Sequence, residues 1–180
     1  MLGVYLGAWY ARHQNYKIVY NDVNTHTHPD ILGDMLQVDL NPFDFAIATP
    51  PCNYWTHARG NTQPSDYAMK TKHLLPDIMA KLSEWNKPFI IENVRNAPRF
   101  EQEGIFQIVA KNSLFMHYIG RHTYFTNIMV DLTCEQEKDF TKGGICLSSY
   151  KNKQGGKNVH KVIEIWLKHI HTKEFFTNGN

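Results

Sequence analysis

The amino-acid sequence predicts an α/β fold in which helices cover both faces of a mostly parallel sheet. Two observations predict it. Short apolar runs end in polar or turn-forming residues, as buried strands do, and a stretch with helical periodicity lies between two of them. A chain of 180 residues can bury one sizeable core, so we expect residues 1–180 to form a single domain.

The first strand in this prediction is the apolar run Lys17–Tyr20. It ends in Asn21 and Asp22. An acidic residue at the end of such a strand suits the ribose hydroxyls of a nucleoside cofactor. A solvated loop carboxylate is the alternative interpretation of Asp22.

The next predicted strand is Asp44–Thr49, whose apolar character indicates burial on both faces. Pro50 and Pro51 end it, because proline has no N–H to donate to a neighbouring strand. Cys52 therefore lies at the carboxyl edge of the sheet, where ligands and catalytic groups collect in α/β folds. Its thiol is either an accessible nucleophile or a small buried side chain.

A second buried strand, Pro88–Val94, carries Glu92 near its end. Between the two strands, the run Thr71–Trp85 has apolar residues at helical spacing. A strand, helix and strand in this order form a right-handed crossover, so the two strands should be parallel neighbours or near neighbours. We therefore expect the Glu92 carboxyl group to stand near the Cys52 thiol.

Two elements complete the predicted fold. The segments Ser113–Gly120 and Arg121–Ile128 are predicted to form a distorted hairpin. A terminal helix is predicted over Val162–Ile170, after a glycine- and lysine-rich turn.

Composition restricts the class of protein but does not identify an activity. The net charge of +2 permits DNA binding but does not demand it. Three cysteines without paired spacing indicate a reducing compartment, and no signal peptide or membrane-spanning stretch is evident, so we expect a cytoplasmic protein. His26 and His28 lie near Asp30, but no third ligand has diagnostic spacing, and we predict no metal site.

Three short motifs carry a family resemblance. Pro50-Pro51-Cys52, then Glu92-Asn93-Val94, then Gly120–Phe125 resemble, in this order, motifs of the cytosine-5 DNA methyltransferases, particularly the compact phage and prophage versions. The match extends from about Tyr16 to Thr126, with a vaguer continuation at Gly155–Trp166. The resemblance implies a class I methyltransferase-like, Rossmann-like three-layer sandwich. It also implies transfer of a methyl group from S-adenosylmethionine to C5 of a flipped-out cytosine in DNA, in a bacterial or phage-infected cell.

The resemblance also implies the catalytic roles. Cys52 would attack C6 of the cytosine, and Glu92 would bind N3 and the exocyclic amine as the acid. Arg121 would help to hold the base and the thiol region, with a phosphate or surface contact as its alternative. Many relatives have a second arginine two positions later, where this chain has Thr123, so His122 could supply part of that set.

For the cofactor, the resemblance implies a set of residues scattered along the chain: Gly7, Trp9, Asp22, Asp34, Pro50 and Asn158. The glycine-rich first motif is abbreviated. Either Leu2–Leu6 is the first strand and Gly7 the loop glycine, or the central strand has been lost and a second chain completes the cofactor site.

DNA contacts are the last set that the resemblance implies, and they comprise Trp55, Arg59, Asn93 and Arg95. A buried tryptophan that anchors the loop is the alternative for Trp55. Residues 127–154 are a possible minimal target-recognition insertion. Two alternatives to an active methyltransferase stay open at this point: a catalytically inactive DNA-binding descendant, and one half of a split enzyme.

Overall fold

The computed structural model describes residues 16–56, 63–95, 99–120, 122–132 and 162–170. The described strands are β1 (Asn21–Asp22), β2 (Ile31–Leu32), β3 (Ala46–Ala48), β4 (Phe89–Val94), β5 (Phe115–Ile119) and β6 (His122–Thr126). The described helices are α1 (Asp66–Thr71), α2 (Leu74–Trp85), α3 (Arg99–Gln102), α4 (Ile105–Lys111) and α5 (residues 162–170), with short 3-10 turns at Thr25–Thr27 and Met35–Gln37. None of these helices is long and apolar enough to cross a membrane.

Four of these strands form one sheet in the order β3-β4-β6-β5. Strands β3 and β4 are parallel neighbours, whereas β4 pairs with β6 and β6 with β5 in antiparallel register. Strands β1 and β2 form a separate parallel pair. The predicted parallel placement of the strands before Cys52 and around Glu92 is thus confirmed, as is the predicted hairpin. Parallel pairing in the four-stranded sheet is confined to β3 and β4.

Helices cover both faces of the four-stranded sheet. On one face, Phe89, Ile91 and Phe125 belong to a core that includes the buried side of α2 and residues of α3 and α4. On the other face, Ile90 and Tyr124 pack with α5. Because neighbouring strand residues point to opposite faces, β4 contributes to both cores. This confirms the predicted α/β class with three layers.

Helix α2 connects the two parallel strands. Its buried side consists of Leu75, Ile78, Met79 and Leu82, the helical spacing on which its prediction depended. The helix ends before Asn86, which adopts a left-handed conformation with φ of 57° that asparagine tolerates better than most residues.

The prediction of a strand over Lys17–Tyr20 is wrong. The described ladder begins only at Asn21, and Val19 is 37% exposed. The physical reason lies in a competing side chain, because the Tyr20 N–H donates to a carboxylate oxygen of Asp30 at 2.8 Å. A donor occupied in this way is not available to a neighbouring strand.

Thr126 joins the sheet to α5. Its hydroxyl donates to the Phe89 carbonyl oxygen at 2.6 Å and accepts from the Trp166 indole N–H at 3.0 Å.

Thr126→Val should lower the free energy of unfolding by about 2–3 kcal/mol, because the Trp166 donor is left buried without this acceptor. Urea denaturation would measure the loss, with exposed Thr25→Val as the matched control. Equal stability of the two variants would show that the hydroxyl is dispensable.

Candidate active site

Cys52 stands on a tight turn beyond the end of β3. Pro50 is buried, whereas Cys52 is exposed. The Cys52 carbonyl oxygen accepts hydrogen bonds from the N–H groups of Trp55 at 3.0 Å and Thr56 at 2.9 Å, which closes the turn. The alternative of Cys52 as a small buried residue is therefore wrong. The turn presents its thiol to solvent.

Asn93 ties this turn to the neighbouring strand. Its side-chain Nδ2 donates to the Pro50 carbonyl oxygen at 3.1 Å, and its Oδ1 accepts from the Val94 N–H at 2.9 Å. The residue is 1% exposed. Its amide group is buried and satisfied within the protein, and its DNA contact stays a prediction. Its position fixes the turn that precedes Cys52 against β4.

Glu92 precedes Asn93 on β4 and is partly buried, with 18% of its side chain exposed. Its Oε1 contacts Nδ1 of His122, whose side chain is 29% exposed. The register of β4 and β6 explains the contact, because Val94 lies opposite His122 and Glu92 opposite Tyr124. Glu92 and His122 are thus diagonal neighbours, a spacing that long side chains bridge. The strand that carries the acid lies directly beside the strand that leads to the thiol.

Trp55 anchors the loop after Cys52 in the core. It is 2% exposed and packs against the rings of Tyr54 and Phe100, at centroid distances of 5.0 and 5.5 Å. Arg99 at the start of α3 donates to the Tyr54 carbonyl oxygen and lies 4.8 Å from the Tyr54 ring centroid. A side chain enclosed in this way presents no face on which a base could stack, which favours the alternative of a buried loop anchor. The DNA contact of Trp55 stays a prediction.

Arg95 follows β4 directly and is exposed. Its guanidinium donates to the Gly120 carbonyl oxygen at 3.1 Å, in the turn between β5 and β6. Its DNA contact stays a prediction. Thr123, at the position of the second family arginine, is fully buried and its hydroxyl donates to the Val94 carbonyl oxygen at 3.0 Å. Thr123 therefore cannot replace an anion-binding side chain.

Asp22 is fully buried at the end of β1. Its Oδ2 accepts from the hydroxyls of Tyr20 at 2.7 Å and Thr27 at 2.5 Å, and its Oδ1 accepts from the Asn24 N–H at 2.9 Å. Burial raises the pKa of Asp22, but these hydrogen bonds outweigh it and lower the pKa to about 2. The carboxylate is bonded within its own turn, and its contact with ribose hydroxyls stays a prediction.

This carboxylate should make stability depend on pH. Because the folded pKa of about 2 lies below the unfolded value, its stabilisation is fully present above about pH 5 and declines as the pH falls towards 2. Asp22→Asn should therefore lower the free energy of unfolding by about 2 kcal/mol at pH 7, and by progressively less in acid. Urea denaturation between pH 7 and 2 would measure this. Asp44→Asn, at an exposed carboxylate, is the control, and a pH-independent deficit would contradict the assignment.

The described residues do not fit S-adenosylmethionine in the predicted way. Asp22 is enclosed, and Asp34 accepts from the Leu36 N–H at 3.0 Å as the cap of a 3-10 turn. A cavity of about 510 Å³ lies between residues 17–21 and 42–47, and none of the three described cofactor candidates, Asp22, Asp34 and Pro50, lines it. Within the described residues, the predicted cofactor residues are therefore not brought together around one cavity.

Five predicted site residues lie outside the described residues: Gly7, Trp9, Arg59, Arg121 and Asn158. The same holds for residues 133–154 of the predicted recognition insertion.

Comparison with known proteins adds little to this geometry. No family model matches the chain, and no curated protein does. Among solved structures, a crystal structure of a mutant of Spodoptera frugiperda DNMT2 is similar, with 17% sequence identity and a TM-score of 0.42. The similarity covers 69% of this chain, which spans 46% of the other. It is too weak to assign an activity.

Two contacts in the site were missed by sequence reasoning, those of Glu92 with His122 and of Asn93 with Pro50. The contact of Glu92 with His122 could have been predicted from the sequence, because a hairpin strand beside β4 brings some residue of Gly120–Phe125 next to Glu92. The contact of Asn93 with Pro50 could not, because an amide group that reaches a distant carbonyl oxygen has no local sequence pattern.

Proposed function

We propose that this chain activates cytosine in DNA by covalent addition of Cys52 to C6 of the base, as a step in methylation at C5. One observation supports this above all others: Cys52 is exposed on the turn after β3, Glu92 lies on the parallel neighbour β4, and the Asn93 side chain joins this turn to β4. A nucleophile and an acid on one rigid edge are what addition to a pyrimidine ring requires.

The proposed step begins with the Cys52 thiolate. Its sulfur forms a bond to C6, and the π electrons of the C5–C6 bond shift through C4 onto N3. N3 takes a proton from the Glu92 carboxyl group, so the product is a neutral enamine with a nucleophilic carbon at C5. An electrophile adds at C5, the original C5 proton leaves, and the ring expels the thiolate as N3 returns its proton to the Glu92 carboxylate. General acid assistance of this kind contributes typically 10²–10⁴-fold.

The nucleophilic C5 is the position at which we propose methylation. S-adenosylmethionine is the donor that the resemblance implies, and because the described residues do not fit it, we assign no residue to its binding. DNA is the proposed substrate, and Arg95 is the described residue that we propose to contact its backbone, since it is exposed beside the site.

The enclosure of Asp22 favours a second candidate function. If the chain has no cofactor site of its own, it would bind and activate cytosine in DNA without methylating it. Both candidates share the Cys52 and Glu92 chemistry, and they differ in whether C5 receives a methyl group or only a proton.

Exchange of the C5 hydrogen of cytosine tests the shared step. When the electrophile at C5 is a solvent proton, addition and elimination replace the original hydrogen, so cytosine in DNA should gain deuterium in heavy water. Mass spectrometry of nucleosides released from single- and double-stranded oligonucleotides would detect it. If folded protein produced no exchange in either single- or double-stranded oligonucleotides, the proposal would be contradicted. A parallel sample with S-adenosylmethionine separates the candidates, because 5-methylcytosine forms only in the first.

A further inference from the structure

We propose that His122 is a positioning residue that holds the Glu92 carboxyl group by Oε1 and so directs Oε2 at the base. The inference rests on the proposed function, because it assigns a partner to the acid of that reaction. It concerns a residue for which neither a periodicity nor a spacing predicted this contact.

The geometry comes from the antiparallel pairing of β4 and β6. Nδ1 of His122 contacts Oε1 of Glu92, and the two residues lie on the same face of the sheet as diagonal neighbours. Both side chains are restrained by their strands, since Asn93 and Thr123 on either side are buried and hydrogen-bonded. The carboxyl group is therefore held in one orientation instead of sampling several rotamers.

This contact gives the two oxygens of the Glu92 carboxyl group different roles. Oε1 meets the imidazole, and within the described residues no hydrogen bond occupies Oε2. Oε2 can therefore meet N3 or the exocyclic amine of a base.

The proton balance closes on Oε2. Oε2 of the Glu92 carboxyl group gives its proton to N3 when Cys52 adds to the ring, and N3 returns the proton to Oε2 when the ring expels the thiolate. The contact of His122 with Oε1 keeps Oε2 as the oxygen that makes both transfers.

Other ionisable groups lie around Glu92 and His122, but none of those described takes the place of His122 at Oε1. Tyr124 lies opposite Glu92 on β6, and His117 lies opposite Tyr124 on β5. Burial lowers the pKa of His117, which makes it a poor proton source near neutral pH, although Asp131 acts in the opposite direction. Arg95 keeps its charge throughout the accessible pH range. On α5, Glu164 and Lys168 pair with each other at 2.7 Å.

The test compares two substitutions in the C5 exchange assay. His122→Phe keeps a planar ring but has no donor, and we expect exchange to slow about 10²-fold. His122→Asn places an amide N–H near the position of Nδ1, so we expect a smaller loss of roughly tenfold. Partial rescue by His122→Asn relative to His122→Phe is the readout that a merely structural role of the ring would not give. His73→Asn, at an exposed histidine, is the matched control.

Two outcomes would overturn the inference. Exchange by His122→Phe within twofold of wild type would leave His122 no part in the reaction. The NMR signal of the Glu92 carboxyl carbon at fixed pH gives a readout without activity, and a chemical shift unchanged by His122→Phe would disprove the pairing itself. A wild-type chain without exchange, but with a Glu92 signal that moves in His122→Phe, would instead overturn the proposed function and leave the pair standing.

Discussion

Replacement of Cys52 by alanine should abolish C5 exchange and leave DNA binding intact. Without the sulfur, no bond forms to C6, and the aromatic ring carbon at C5 never becomes nucleophilic. Loss of a covalent nucleophile removes most of an enzyme's acceleration, so we expect the rate to fall by at least ~10⁴-fold. The variant should fold normally, because the exposed side chain contributes little to the core.

The measurement combines deuterium exchange with gel trapping. An oligonucleotide that contains 5-fluorocytosine holds a covalent adduct once C5 has been alkylated, since fluorine cannot leave as a proton does. An adduct that forms with S-adenosylmethionine in wild type and vanishes in Cys52→Ala would establish both the nucleophile and the methylation. Cys134→Ala is the control for nonspecific thiol effects. Undiminished exchange in Cys52→Ala would remove Cys52 from the reaction.

Replacement of Trp55 by alanine should have the largest effect on stability among the site residues. The side chain is 2% exposed and contacts two aromatic rings, so its loss leaves a large cavity beneath the Cys52 turn. Large-to-small substitutions of buried aromatic residues cost about 3–5 kcal/mol. Trp55→Phe refills part of this space and should cost clearly less.

Urea denaturation of both variants would measure this loss, and DNA affinity would be measured under conditions where each variant is folded. Trp85→Ala is a suitable control, because Trp85 is only partly buried at the edge of the same core. We expect Trp55→Phe to keep wild-type DNA affinity. A Trp55→Ala variant of unchanged stability but weakened DNA binding would instead restore the stacking role that the structure argues against.

The sequence predicted those features of the fold that depend on local patterns. The apolar runs around Ala46 and Ile90 predicted β3 and β4, and helical spacing between them predicted α2. The prolines after β3 predicted where Cys52 would stand. Each of these depends on periodicity or on the backbone limits of one residue type, which any stretch of sequence displays directly.

The hydrogen-bond partners and the burial of individual side chains were harder to predict. Asp22, Asn93 and Trp55 each have a residue type that suits ligand binding, yet each is occupied within the protein. For Asn93, the deciding partner is the carbonyl oxygen of Pro50, 43 residues away along the chain. A motif specifies which residue is present, but burial and hydrogen bonding depend on the assembled fold.

The hydrogen bond between Asn93 and Pro50 also bears on how the site responds to thermal motion. It joins the turn before Cys52 to the residue after Glu92, so a displacement of either carries the other with it. The positions of Cys52 and Glu92 relative to each other should then fluctuate less than the position of either residue in space. In the proposed reaction, a base bound by both would keep its alignment while the surrounding edge of the sheet moves.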